Sequence, residues 1–351
     1  MKKLLFILTI FTAIFFGCGN NIEIVQLEIT KVWNAENLTP ANSDLCIEVK
    51  KDGIYYVKTG ENSFGISKRN FDGKEISEFK IPVGKGPGEA MHSLGLGVND
   101  NSIYFTDFVL KRITKFSFEG EYKDSFNLGN ETGMIISFDF YKDFLFYHSI
   151  NISYLGKMNI KTGKVLNSVE HDIKKMIGPG DKLKGGIMVV DKFDNNIYVG
   201  GISKPYKIEK FDMNFNKIDE FKYDVGKGIE PTKVAPGPNI YGDMLISSMV
   251  CDENYLYTPE ISNRTDIKGN DRTYKKFDGR ILVFDKNSGE LVKIYENEKL
   301  KNIKGSFTIS GLTENYIVTF INGYGETGKR LTGKDDKYQN IFLLLKRPEI
   351  K

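Results

Sequence analysis

The stretch Ile47–Val57, IEVKKDGIYYV, sets an alternating segment against an Asp52-Gly53 turn and follows it with four consecutive apolar residues, Ile54 to Val57. An Asp-Gly pair between two such segments is the pattern of a tight β-hairpin, since glycine accepts the positive φ such turns require. The phrase recurs as Leu96–Phe105 (LGVNDNSIYF), Phe138–Phe146 (FDFYKDFLF), Val189–Val199 (VVDKFDNNIYV), Met249–Tyr257 (MVCDENYLY) and Ser310–Val318 (SGLTENYIV). Most of these hairpins are followed by another pair of segments around a polar turn. Examples are Ile66–Ile81 around Asp72-Gly73, Ile113–Tyr122 around Glu119-Gly120, Ile208–Ile218, and Ile281–Leu291 around Ser288-Gly289. Each unit therefore reads as a four-stranded antiparallel sheet.

Six such units at a period of about 50 residues, with almost no helical periodicity between them, match the blade spacing of β-propellers. A single blade cannot cover both of its faces, so neighbours must stack around an axis. The 25 Phe and 18 Tyr against one Trp supply an aromatic core for that stacking. The expectation is an all-β, six-bladed β-propeller of four-stranded antiparallel blades. The last unit offers only three strands, Phe307–Leu312, Tyr316–Ile321 and Asn340–Leu345, and Ile22–Ile29 near the start of the chain has no blade of its own. This segment is expected as the outermost strand of the final sheet, where it removes an open edge.

Residues 1–17 form a separate unit. Lys2 and Lys3 precede an apolar run from Leu4 to Phe16, too short for a span of ~20 residues, and the pattern is that of a secretory signal. The run ends at Phe16-Gly17-Cys18-Gly19, which resembles the lipobox of bacterial lipoproteins, with Phe15 where that family usually has Leu. The resemblance implies lipidation of Cys18 and anchoring of residues 18–351 to the membrane; a plain signal peptide is the alternative. Removing residues 1–17 brings the formal charge from +3 to +1. A chain so balanced lacks the basic footprint of a nucleic-acid binder. Cys46 and Cys251 read as small buried hydrophobes, and a disulfide between them stays open.

The joint Val83–Met91, VGKGPGEAM, has the glycine density of a phosphate loop. However, no Lys-Ser or Lys-Thr follows and the next segment, Leu94–Val98, is a strand, so the helix N-terminus that holds phosphate is missing. The joint reads as a blade connector, echoed by Val225–Glu230 and Ile177–Asp181, with Lys85 and Glu89 as candidate contacts. His92, His148 and His171 lie in three different units without ligand spacing, and no hydrolase or zinc signature occurs.

The Ile-Tyr strands, the Arg-Ile-x-Lys-Phe phrase at Arg112–Phe116 and the joint Gly84–Glu89 together resemble the NHL- and TolB-like six-bladed β-propeller lipoproteins of Bacteroidetes. The resemblance implies a cell-envelope protein, lipid-anchored to the outer membrane of a Gram-negative bacterium, and carries no activity with it. Two insertions, Ile261–Asp278 and Asn322–Tyr338, fall between second and third strands and should share one rim with the connectors. Long loops on a rigid frame commonly carry function. Arg264, Arg272, Tyr274, Tyr324 and Arg330 are the expected contacts for a peptide, glycan or partner protein, with no cofactor and a monomeric chain. The alternative is a lactonase-like hydrolase holding calcium at the channel through Asp44 and Asp243, both expected at starts of inner strands, with Glu89 on the same face.

Overall fold

The structure, a computed structural model, describes residues 22–35, 38, 46–107, 109–133, 135–149, 153–170, 186–234, 240–268, 271–336 and 338–348. Cys18, Asp44, His171 and the joint at 177–181 lie outside them. The described strands form six sheets, and in four of these the strand order follows the chain from inside to outside. The first is Ile47–Lys50, Gly53–Thr59, Ser63–Arg69 and Glu75–Pro82. The second runs from Ser93–Val98 to Tyr122–Asn127, the third from Ile135–Tyr141 to Val165–Glu170, and the fourth from Gly186–Asp191 to Lys217–Tyr223. The innermost strands touch their neighbours in a closed cycle, so the sheets surround an axis.

Burial explains the opening motif. Gly53–Val57 is buried residue by residue, as is Ile103–Asp107, whereas the outer strand Glu75–Pro82 is mostly exposed. A strand covered on both faces reads as an unbroken apolar run, and that is why Ile-Tyr-Tyr-Val does not alternate. Neighbouring sheets meet through aromatic pairs. Phe64 packs on Phe105 at 5.5 Å, Tyr104 stacks on Phe140 at 4.5 Å, and Tyr206 on Phe284 at 6.3 Å between ring centroids. Such pairs add roughly 0.5–1.5 kcal/mol each beyond area burial. Gly97 faces the Phe140 ring so closely that a Cβ there would overlap it, and Gly311 stands likewise against Val49.

Three expectations are corrected. First, five sheets stand as discrete blades, not six equivalent ones. The fifth consists of Val250–Cys251, Tyr255–Pro259, Ile281–Asp285 and Leu291–Glu296, with Glu23–Gln26 added in parallel at its outer edge. The remaining sheet is a composite of eight strands. Its run Gly305–Leu312, Tyr316–Tyr324, Tyr338–Lys346 and Ile29–Asn34 is fused, through Asn263 opposite Ser306, to Asn263–Lys268, Ile240–Met244 and Lys233–Val234.

Second, the closing segment straddles two sheets. Ile29–Asn34, rather than Ile22–Ile29, pairs antiparallel with Tyr338–Lys346, while Glu23–Gln26 crosses to the fifth blade. Leu27, buried at the crossing, is fixed by its N–H on the Glu296 carbonyl at 2.8 Å and its carbonyl on Asn297 Nδ2 at 2.6 Å. Trp33 stacks on Phe342 at 4.3 Å. Both ends of the chain thus share the seam.

Third, Asp243 does not begin an inner strand. It lies in Ile240–Met244 of the composite sheet. Cys46 and Cys251 are not bridged to each other.

Candidate functional site

The two insertions fold into defined structure. The first carries Asn263–Lys268 and Asp271–Tyr274 as a hairpin, and the second carries the short helix Glu326–Thr332 between lengthened strands. Each follows the second strand of its unit, so both emerge at the end of the ring that also carries the inter-sheet connectors, opposite the inner-hairpin turns. They meet there. The half-buried rings of Tyr274 and Tyr324 stack at 4.5 Å with an interplanar angle of 27°, their hydroxyls 3.5 Å apart, and Lys276 reaches Glu326 at 3.6 Å. Lys275 pairs with Glu230 at 3.2 Å, bringing in the connector Val225–Glu230.

Arg264 anchors this region from beneath. Its Nε and Nη2 each donate to a separate oxygen of the Asp243 carboxylate at 3.0 Å, and Nη2 also donates to the Gly228 carbonyl at 3.0 Å. Asp243 is fully buried and its Oδ2 accepts the Glu230 N–H at 2.9 Å. A bidentate guanidinium and a backbone amide together take three of the carboxylate's roughly four lone-pair positions, those a cation would share. Among the described residues no group of three or more His, Cys, Asp or Glu is placed to hold a metal ion.

The joint Val83–Met91 is built by the same device. Asp107 faces Arg112 across a strand pair as Asp243 faces Arg264. The Arg112 guanidinium donates to the carbonyls of Lys85 (3.3 Å), Gly86 (3.0 Å) and Glu89 (2.5 Å). Asp107 accepts the N–H groups of Met91 at 2.5 Å and His92 at 3.2 Å. The Glu89 carboxylate turns back to accept the Gly86 N–H at 2.7 Å, leaving the Lys85 side chain exposed. Loop carbonyls thus point at an arginine and loop amides at carboxylates, the polarity of a self-contained connector rather than of an anion cradle.

Of the residues singled out from sequence, Arg264, Tyr274 and Tyr324 come together. Arg272 lies on the strand Asp271–Tyr274, opposite Ile267. Arg330 is committed elsewhere: its Nε and Nη2 donate to the carbonyls of Lys299 (3.1 Å) and Lys301 (2.6 Å), capping the turn Glu298–Leu300. Lys85 and Glu89 make their contacts within the second sheet's own connector. His148 is buried, its Nδ1 toward the Tyr154 carbonyl and its Nε2 accepting the Gly186 N–H at 2.9 Å, a structural role that fixes the tautomer. Sequence reasoning missed Asp107 and Arg112, whose Asp-x-x-x-x-Arg spacing across a strand-to-strand turn is the signal that marks them.

No family model matches the chain, and no curated protein matches it. Solved structures do. A member of the DUF4221 family from Bacteroides vulgatus ATCC 8482 is similar with a TM-score of 0.61 at 11% identity, over 91% of this chain and 97% of that one. A protein of Bacteroides fragilis NCTC 9343 whose name describes it as exported gives 0.57 at 12% identity, over 93% and 100%. A protein of unknown function from Bacteroides thetaiotaomicron VPI-5482 gives 0.51 at 9%, over 91% and 75%. At these identities the likeness shows the fold, a β-propeller of antiparallel blades. No helix among the described residues is long and apolar enough to cross a membrane.

Proposed function

We propose that the protein is a non-enzymatic binding propeller of the cell envelope, a monomer held to the outer membrane through lipid on Cys18, whose rim of joined insertions engages a peptide or partner protein. The observation that carries this reading is the Tyr274–Tyr324 stack. Two insertions from different repeat units spend their contact on a half-exposed aromatic pair edged by Lys275, Lys276 and Glu326. Tyrosine gives large contact area for little lost rotamer entropy, and rigid aromatic pairs flanked by charge are typical centres of recognition. Export agrees with the apolar leader at residues 4–16 and with the description of the Bacteroides fragilis neighbour. The channel-hydrolase alternative loses support because Asp243 already serves Arg264.

The test is cross-linking of the full chain in envelope membranes, with mapping of the linked lysines. Partner cross-links should fall on Lys275 and Lys276 and vanish in the double variant Tyr274→Ala/Tyr324→Ala while its melting stays within a few degrees. Cross-links confined to other faces, or calcium-dependent ester hydrolysis by the purified protein, would overturn the assignment.

A further inference from the structure

At the opposite end of the axis the inner strands enclose a cavity of about 270 Å³. Its walls come from all six inner segments. Ile47, Val49, Leu96, Met188 and Ile309 supply their apolar part, and polar groups take up at least as much of the lining. Lys50 pairs with Glu48 at 2.9 Å, and Lys192 with Asp139 at 3.2 Å, so two positive and two negative groups line the cavity and cancel. The attraction of Asp139, with Glu48 further off, holds the Lys192 ammonium above its usual value against the opposing effect of burial. Two hydroxyls have no hydrogen-bond partner among the described residues: Oγ of Ser247, in a residue almost wholly buried, and Oγ of Ser310. A buried hydroxyl without a partner costs roughly 1–3 kcal/mol, so a ligand or water met by rotation of either serine side chain relieves that cost. At the mouth, in the turn after the fourth inner strand, stands Phe193, 59% exposed. The Lys286 ammonium approaches its ring to 5.4 Å.

We propose that this end of the axis is a saccharide site that takes a single neutral pyranose ring, with Phe193 stacked on its C–H face. The charges exclude the rival chemistries. A free anion or cation would have to break one of two ion pairs in a half-buried setting, whereas a neutral polyol needs only the spare lone pairs of Glu48 and Asp139 and the spare N–H groups of the two lysines. Sugar hydroxyls both donate and accept, as the orphan serines do. The apolar side chains set among the polar ones, and an exposed ring, match the amphipathic character of a pyranose. The volume lies just under the ~300–1,000 Å³ of sites for drug-sized ligands, which limits the occupant to about one ring. This site is independent of the rim and lies on the other face.

The experiment is saturation-transfer NMR on the full chain with a panel of methyl hexopyranosides, alongside free amino acids and small carboxylates. At least one pyranoside should receive saturation. Phe193→Leu keeps bulk over Lys286 but removes the flat ring, and Ser247→Ala removes one orphan hydroxyl; each should weaken that pyranoside about tenfold or more, the equivalent of ~1.4 kcal/mol. Tyr274→Ala/Tyr324→Ala should leave it unchanged, so this result stands or falls separately from the rim. The assignment is overturned if no pyranoside binds at millimolar concentration, if Phe193→Leu with wild-type melting binds as tightly as the parent, or if an amino acid or carboxylate outcompetes every sugar.

Discussion

Lys286 offers the sharpest test of how the sheets are held together. It follows the third strand of the fifth blade, and its ammonium lies 2.7 Å from Asp191 at the end of the fourth blade's inner strand, both side chains 0% exposed, with Asp194 at 3.0 Å. Lys286→Ala would leave the Asp191 carboxylate buried with, among the described residues, only the N–H groups of Phe193 (3.0 Å) and Asp194 (3.3 Å) as donors. Removing one member of a buried pair costs about 3–5 kcal/mol, and the two remaining amides favour the lower end. With an unfolding entropy of ~2.1 cal/mol/K per residue, a chain of 351 residues loses about 1 °C for each 0.7 kcal/mol, so the melting point should fall by roughly 4–7 °C. Lys286→Met/Asp191→Asn removes both charges and should recover most of that loss. Burial opposes the ammonium, yet Asp191 and Asp194 raise its pKa above the ordinary lysine value. Because the folded value is the higher one, the pair's stabilisation is fully present below the unfolded lysine pKa of ~10.4 and is lost only as pH climbs beyond the folded value. The gap between parent and variant should therefore be flat through neutral pH and narrow in strong alkali. Differential scanning calorimetry decides: a single variant melting within 1 °C of the parent, or a double variant as unstable as the sum of its singles, would refute the argument.

Three further outcomes are expected. Arg264→Ala should destabilise the chain by about 3–5 kcal/mol by stranding buried Asp243, and added calcium should not restore its melting point; restoration by calcium in a thermal-shift assay would revive a metal role. Deleting residues 22–34 should expose the Tyr338–Lys346 edge and lose the Trp33–Phe342 stack, giving aggregates on size exclusion, so a monomeric product with unchanged melting contradicts the shared seam. Hydrogen bonds from Lys217 and Lys222 lower the Glu220 carboxyl to about 2. Its contribution to stability is present above the ordinary carboxylate range and disappears as pH falls through that lowered value, so its carbon resonance should titrate near pH 2, and Lys217→Met should raise the midpoint.

What was legible in the sequence follows from how local each signal is. Inner hairpins announce themselves because Asp52-Gly53 and its equivalents sit inside the repeat, and Ile54–Val57 is continuous because both its faces are covered. The composite sheet hid for the opposite reason. Asn263–Lys268 reads NRTDIK, too polar to look like a strand, and it is one because distant Gly242 and Asp243 supply its ladder. Register at the seam was misplaced because Ile22–Ile29 mixes apolar and polar residues like a single strand, and only Leu27's burial at the crossing tells where one sheet yields to the next. At the rim, tyrosines on two insertions could be paired from topology alone. Arg330 could not be told from a ligand contact, since a guanidinium capping backbone carbonyls and one awaiting a partner have the same sequence. Phe193, Ser247 and Ser310 gave no signal, for the axis gathers them from separate sheets.

The shared seam also orders events during folding. Ile29–Asn34 is synthesised some three hundred residues ahead of its hydrogen-bonding partner, Tyr338–Lys346. Until that partner arrives the early strand carries Val32 and Trp33 with an unsatisfied ladder, the kind of edge that recruits chaperones or captures a neighbouring unfolded chain. Loss of Tyr338–Lys346 would therefore cost more than its length suggests, because it takes away the partner of a strand completed some three hundred codons before.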